Sequence, residues 1–282
     1  MSYNQTERPA RIIDAHLHFQ PKNPHFDAIA HTAGHENTVR HVEQTYRDLS
    51  IAHGVVMGNR ELTAEWHTYP PTLSFCAGIH QHALNPGNAA AALEACEAQL
   101  TNPQCVGIKL YAGYCALPLM DNAYMPYYEL AERYSKPVAI HMGVTASPYA
   151  LLKFCHPLLI DEAAVRFPKV QFVMCHFGNP WLMDAAAVLE KNDNVAADLS
   201  GLLAGRVDLD EYRVRLHGYM DQLRTWIAYV ERYDAFMFGT DWPLVNLSEY
   251  IQFIGELIPQ EHWDAVFYGN ARRVYRLSDL PG

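Results

Sequence analysis

Ile12-Ile13-Asp14-Ala15-His16-Leu17-His18-Phe19 is a short apolar run that ends in two imidazoles one residue apart. Side chains alternate across a strand, so an HxH pair on a strand sends both histidines to one face. Leu17 then faces the other way. The stretch therefore reads as a buried strand whose end carries two nitrogen donors.

Seven more runs of the same kind follow. β-rich segments recur at 11–16, 54–58, 73–80, 106–111, 138–142, 170–176, 195–199 and 235–240, each ending at or within two residues of a Gly, His, Asp or Asn. Helical segments are expected between them at 38–49, 88–100, 123–134, 161–167, 181–190, 209–233 (long enough for two helices), 247–257 and 261–275. Pro137 and Pro168 stop the third and fourth of these. Strands alternating with helices imply βαβ units and a parallel sheet. Eight such units over 282 residues point to a closed (β/α)8 TIM barrel of the α/β class, in a single domain spanning 1–282. An open doubly wound sheet is the rival, and no GxGxxG follows the first strand to support it.

Composition narrows the function. Half of the residues are hydrophobic and 18% are charged, as in a folded globular chain. The formal charge of −10 and the lack of a basic patch argue against a nucleic-acid partner. The first dozen residues are polar and lack the apolar core of a signal peptide. No apolar run approaches the roughly 18 residues of a membrane helix. The expectation is a soluble, cytoplasmic enzyme with a small-molecule substrate, no nucleic acid and no membrane; a homo-oligomer is compatible with the sequence. Cys76, Cys96, Cys105, Cys115, Cys155 and Cys175 form no CxxC pair and are expected to be free, buried thiols.

Active sites of such barrels lie at the carboxyl ends of the strands. Strand one ends in His16 and His18, strand five in His141, strand six in His176 and strand eight in Asp241. Alternation places Ile140, Thr240 and Phe238 on the outer face, and Cys175 outward if His176 points inward. Histidine and aspartate suit zinc and similar first-row divalent ions. A divalent metal ion is thus expected, zinc first, with manganese, iron or cobalt accepting similar ligands. Asp241 would bind it and take a proton from the attacking water; His176 would polarise a carbonyl or act as acid–base group.

Taken in order and spacing, these residues resemble the amidohydrolase superfamily. Phrases resembling its amidohydrolase-related (amidohydrolase 2) branch are RFP at 166–168, FVMCHFGNPW, VAADLSG, MFGTDWPL and the closing GNARR, within a likeness that runs from about residue 11 to 277. That branch includes aminocarboxymuconate-semialdehyde decarboxylase-like and resorcylate decarboxylase-like proteins beside lactone and ester hydrolases. The resemblance implies that His16, His18, His141 and Asp241 hold one metal, commonly zinc, with His176 beside it as a catalytic residue or fifth ligand.

The reaction expected is hydrolysis of a small amide, lactone or ester by a metal-activated water. The alternative is non-oxidative decarboxylation of a small carboxylic acid at the same metal site; a catalytically idle metal-binding barrel is a third reading. Lys109 is expected inside the barrel, as a buried lysine paired with a carboxylate such as Asp198 or Asp14, as a substrate-orienting cation, or as a carboxylated bridge between two metals. Asp198 would fix a histidine tautomer. Asp14 would lie one layer below His16 as structural support. His80, Tyr111, Tyr114, Trp181 and Trp242 are candidates for the pocket wall, His82 for the pocket or the surface. No role is assigned to His31, His35 and His41.

Overall fold

Alternation of apolar residues within short β-rich runs builds eight strands, which the computed structural model describes within residues 8–278 and 280. They are β1 (Ile12–Leu17), β2 (Ile51–Met57), β3 (Leu73–Ile79), β4 (Cys105–Leu110), β5 (Val138–Ile140), β6 (Phe172–Met174), β7 (Val195–Asp198) and β8 (Phe236–Met237). All pair in parallel, in chain order, in one sheet. β8 returns to β1 through Ala15 N–H to Phe238 O, His18 N–H to Trp242 O, and the amides of Thr240 and Asp241 to His16 O. The result is a (β/α)8 TIM barrel.

The helices are α1 (Pro24–Thr32), α2 (Val39–Asp48), α3 (Gln81–Leu84), α4 (Ala89–Leu100), α5 (Ala112–Cys115), α6 (Met125–Tyr134), α7 (Leu158–Arg166), α8 (Leu182–Lys191), α9 (Leu209–Arg215), α10 (His217–Val230), α11 (Leu247–Leu257) and α12 (Asn270–Val274). The expected 209–233 segment is indeed two helices. α1 lies in a stretch where no helix was expected, although Asn23 caps it and Pro24 starts it.

The core has two layers. Ile13, Ala15, Val55, Met57, Ala139, Val173, Ala196 and Met237 fill the barrel interior. Leu17, Val56, Ile108, Ile140, Met174, Phe236 and Phe238 pack beneath the helices. Tyr268, Ala271, Val274 and Tyr275 complete the inner cluster from the amino-terminal end of the barrel, where Arg11 lies 4.3 Å from the centre of the Tyr268 ring. Among the described residues no helix is long and apolar enough to cross a membrane.

Two strand ends break the simple alternation. On β1, Ile13 and Ala15 are already interior, so strict alternation would turn His16 outward. The ladder shifts register between Asp14 and Leu17, and this bulge brings His16 inward directly after Ala15. Asp14 is therefore not one layer below His16. It faces the helices, accepting bonds from Tyr46 Oη on α2 (3.1 Å), Thr240 N (2.8 Å) and Thr240 Oγ1 (2.6 Å). On β6, Val173 and Cys175 are both interior, so Cys175 does not point outward as expected. His176 joins it on the inside because His176 and Phe177 take left-handed conformations, with φ of 61° and 45°.

His53 on β2 is 6% exposed and bonds through Nε2 to Ser74 Oγ at 2.8 Å. Burial pushes its pKa down from 6.5 to about 4. The unfolded chain takes up this proton near pH 6.5, before the folded one does, so the stabilisation is complete above that pH and is lost as pH falls toward 4. The fall in Tm between pH 7 and pH 5 is expected to be smaller in His53→Gln than in the wild type. Parallel Tm-against-pH curves would contradict this assignment.

Candidate metal centre

Each of the four strand-end histidines gives one ring nitrogen to a fixed acceptor. His16 Nδ1 lies 2.9 Å from Asp198 Oδ2, and His18 Nδ1 lies 3.1 Å from Met57 O. His141 Nε2 lies 3.0 Å from Val144 O, and His176 Nδ1 lies 3.2 Å from Ser200 O. A main-chain carbonyl or an ionised carboxylate only accepts, so each of these nitrogens carries the proton. The opposite nitrogens are lone pairs: His16 Nε2, His18 Nε2, His141 Nδ1 and His176 Nε2. Burial lowers the pKa of His16 to about 4 and also lowers those of His141 and His176, which keeps these rings neutral near pH 7.

The lone pairs converge. One ligand atom each of His16, His18 and Asp241 lies within 4.8 Å of the others. Asp241 Oδ1 is 3.4 Å from His16 Nε2 and 3.3 Å from His18 Nε2. His176 Nε2 and His141 Nδ1 face each other at 3.2 Å, and the rings of His16 and His176 are 4.7 Å apart. His16 Nε2 and Asp241 Oδ1 are buried without a hydrogen-bond partner among the described residues. Neutral nitrogen lone pairs around a carboxylate, with no proton to share, are the donor set of a divalent cation. The residues fit the metal expected from the sequence. His16, His18 and Asp241 group most closely, while His141 and His176 stand beside them as a pair.

Asp198 organises this centre from β7. Besides His16, its Oδ1 accepts from His176 N (3.0 Å), Ser200 N (3.2 Å) and Ser200 Oγ (2.5 Å). Burial would raise its pKa, but His16 and these donors drive it far below the usual range. Gly201, at φ 63°, passes so near that an added Cβ would lie 2.8 Å from His176 Nδ1 and 3.2 Å from Asp241 Oδ2. Neither Ser200 nor Gly201 was singled out in the sequence. The directed proton on His176 also alters its expected role: Nε2 is an acceptor in this geometry, suited to a ligand or base rather than to donating to an oxyanion.

A cleft of about 620 Å³ opens over the centre, lined by His18, His141, His176 and Asp241. His80, Tyr111 and Tyr114 form one wall; the His80 and Tyr111 rings stack with centroids 5.1 Å apart. Phe26 and Ile29 of α1, with Leu202, Leu203 and Leu244, form an apolar wall opposite in character.

Other expected residues lie elsewhere. Lys109 is fully buried and does not line the cleft; its Nζ donates to Cys175 Sγ at 2.7 Å, a thiol rather than the expected carboxylate. The same Nζ lies 5.2 Å from the centre of the Tyr111 ring, which lines the cleft. Trp242 is also fully buried, on the side away from the cleft. Its ring packs against His35 (4.9 Å) and His41 (6.2 Å), which bond to each other at 2.9 Å. Trp181 packs on His156, away from the cleft lining. His82 lines a neighbouring cavity, not the centre.

Replacing Asp198 with Asn removes the negative charge that holds the proton on His16 Nδ1 and sets an NH2 donor against one of the groups that donate to the carboxylate. A metal-competition titration of Asp198→Asn should show affinity for zinc reduced by roughly 10- to 100-fold. Unchanged affinity in a folded variant would contradict this role.

Comparison with known proteins places the chain. The amidohydrolase family profile matches residues 13–277. No curated protein sequence matches significantly. Among solved structures, an uncharacterised TIM-barrel protein from Bordetella bronchiseptica is similar at TM-score 0.70 and 18% identity, covering 94% of this chain and 98% of that one. A probable 2-pyrone-4,6-dicarboxylic acid hydrolase from Acinetobacter baumannii is similar at 0.62 and 16%, covering 94% and 99%. A dihydroxybenzoic acid decarboxylase from Polaromonas, solved with bound manganese, is similar at 0.63 and 13%, covering 97% and 98%. At these identities the likeness shows the fold, while the profile match spans nearly the whole chain. The chain belongs to the amidohydrolase family, in the amidohydrolase 2 branch that its strand-end motifs resemble.

Proposed function

We propose that this protein is a metal-dependent hydrolase of a small amide, lactone or ester whose reacting group is uncharged. One observation carries the choice over decarboxylation of an acid. Among the described residues, no lysine or arginine lines the cleft, and the one carboxylate there is Asp241. A carboxylate substrate in that chamber would find no side-chain cation to hold it beside the metal, and the one charged side chain it would meet is the anionic Asp241.

A divalent ion held by His16, His18, His141 and Asp241 would supply Lewis acidity toward a carbonyl and toward water. Zinc is the proposed ion, given the predominance of imidazole donors. Asp241 is the group placed to accept the proton of the attacking water and return it to the leaving group. His176 holds its neighbours' spacing and offers Nε2 as a ligand or secondary base. Tyr111 is not the acid: its hydroxyl donates to Gly58 O at 2.9 Å, and its ring serves as wall. Phe26, Ile29 and Leu203 exclude water from the apolar side of the substrate. The six unpaired, buried thiols suit a reducing compartment, and a cytoplasmic setting is proposed on that ground.

Zinc-loaded protein assayed on a panel of aryl esters, anilides and lactones is expected to release one acid per turnover and no CO2. Asp241→Asn should lower kcat by roughly a thousandfold. CO2 release from a carboxylic acid, without consumption of water, would replace hydrolysis by decarboxylation.

A further inference from the structure

A second cavity of about 350 Å³ adjoins the cleft, and Asn59 and His80 line both. Its chemistry differs from that of the cleft. Arg60 lines it, half-buried, with its guanidinium 5.2 Å from the centre of the Trp66 ring. Among the described residues no carboxylate lies within ion-pairing distance of Arg60. Glu61 lines the same cavity but is exposed, so water screens its charge.

The orientation of Asn59 is fixed by a chain of amides. His25 N–H donates to Asn23 Oδ1 at 3.0 Å, where Asn23 caps α1. Asn23 Nδ2 donates to Gln20 Oε1 at 2.7 Å, and Gln20 Nε2 donates to Asn59 Oδ1. A main-chain N–H can only donate, so every amide in the chain has one allowed orientation. Asn59 is thereby left with its Nδ2 hydrogens, which have no partner among the described residues. His80 Nε2 is likewise buried and unpartnered there. One oriented donor and an unpartnered imidazole nitrogen therefore lie where the cavities join, and a guanidinium lines the second of them.

We propose that the second cavity is a subsite for a carboxylate-bearing arm of the substrate, gripped by Asn59 Nδ2 and Arg60 while an apolar arm lies against Phe26 and Ile29. The proposal rests on the cleft being the reaction chamber of the hydrolase described above. It makes the substrate two-armed: uncharged at the bond to be cleaved, anionic at a distance from it. The amide chain links the two arms, because the residue that caps α1 also sets the direction of Asn59.

Calorimetric titration of zinc-loaded full-length protein with 5-phenylvalerate and with 5-phenylpentan-1-ol tests this. The acid should bind at least roughly tenfold more tightly than the alcohol, the size of one charge-assisted hydrogen bond. That advantage should disappear in Arg60→Gln and in Asn59→Asp, each checked for an unchanged Tm. Equal affinities in the wild type would overturn the proposal. So would an advantage that survives in both variants, because the metal itself would then be holding the carboxylate. No turnover is read, so a negative result leaves the hydrolase reading standing, and a protein that binds as expected without hydrolysing esters would refute only that reading.

Discussion

The buried carboxylate of Asp198 is the constraint on which the candidate centre depends. It lies at the end of β7 and joins three neighbouring segments: His16 of β1, the backbone after β6, and the Ser200–Gly201 turn. A fully buried anion is tolerated only when its lone pairs are taken up. Here the groups that take them up are those whose direction matters. The His16 contact selects a tautomer, and the bond to His176 N stabilises a left-handed turn that would otherwise carry a cost for a residue with a Cβ.

A similar division runs through the outer layer. Asp14 is turned toward the helices, where it ties α2 to the residues after β8 through Tyr46 and Thr240. Burial raises its pKa to about 7 despite those donors, so this carboxyl is a structural clamp of a different kind from Asp198. His35 and His41 brace Trp242 from the α1–α2 segment, next to Asp241 in sequence. Chemistry faces inward on one set of residues, and the residues beside them in sequence face outward to hold the barrel closed.

Much of this was legible in the sequence, and the limits have physical causes. The eight strands, the order of helices, the strand-end residues and the support role of Asp198 follow from alternation and strand ends. Strict alternation failed at β1 and β6, because a bulge and a left-handed pair each insert a half-step that hydrophobic patterning does not encode. Reading the parity of Cys175 from His176 therefore gave the wrong face. α1 was missed although Asn23-Pro24 is a start signal, because its single buried residue, Ala30, leaves little apolar periodicity. Lys109 was correctly placed inside the barrel, but the thiol that meets it was read as outward because the left-handed pair at His176 and Phe177 was not foreseen. Ser200 and Asn59 act through hydrogen bonds that depend on tertiary neighbours, and no local pattern marks them.

The spent protons of the four histidines bear on the chronology of maturation. Each ring is aimed by a bond to the polypeptide itself, so ligand orientation is a product of folding rather than of ion capture. A bound ion would meet rings that hydrogen bonds of the polypeptide already aim. Which ion arrives is accordingly a matter of supply as much as of affinity.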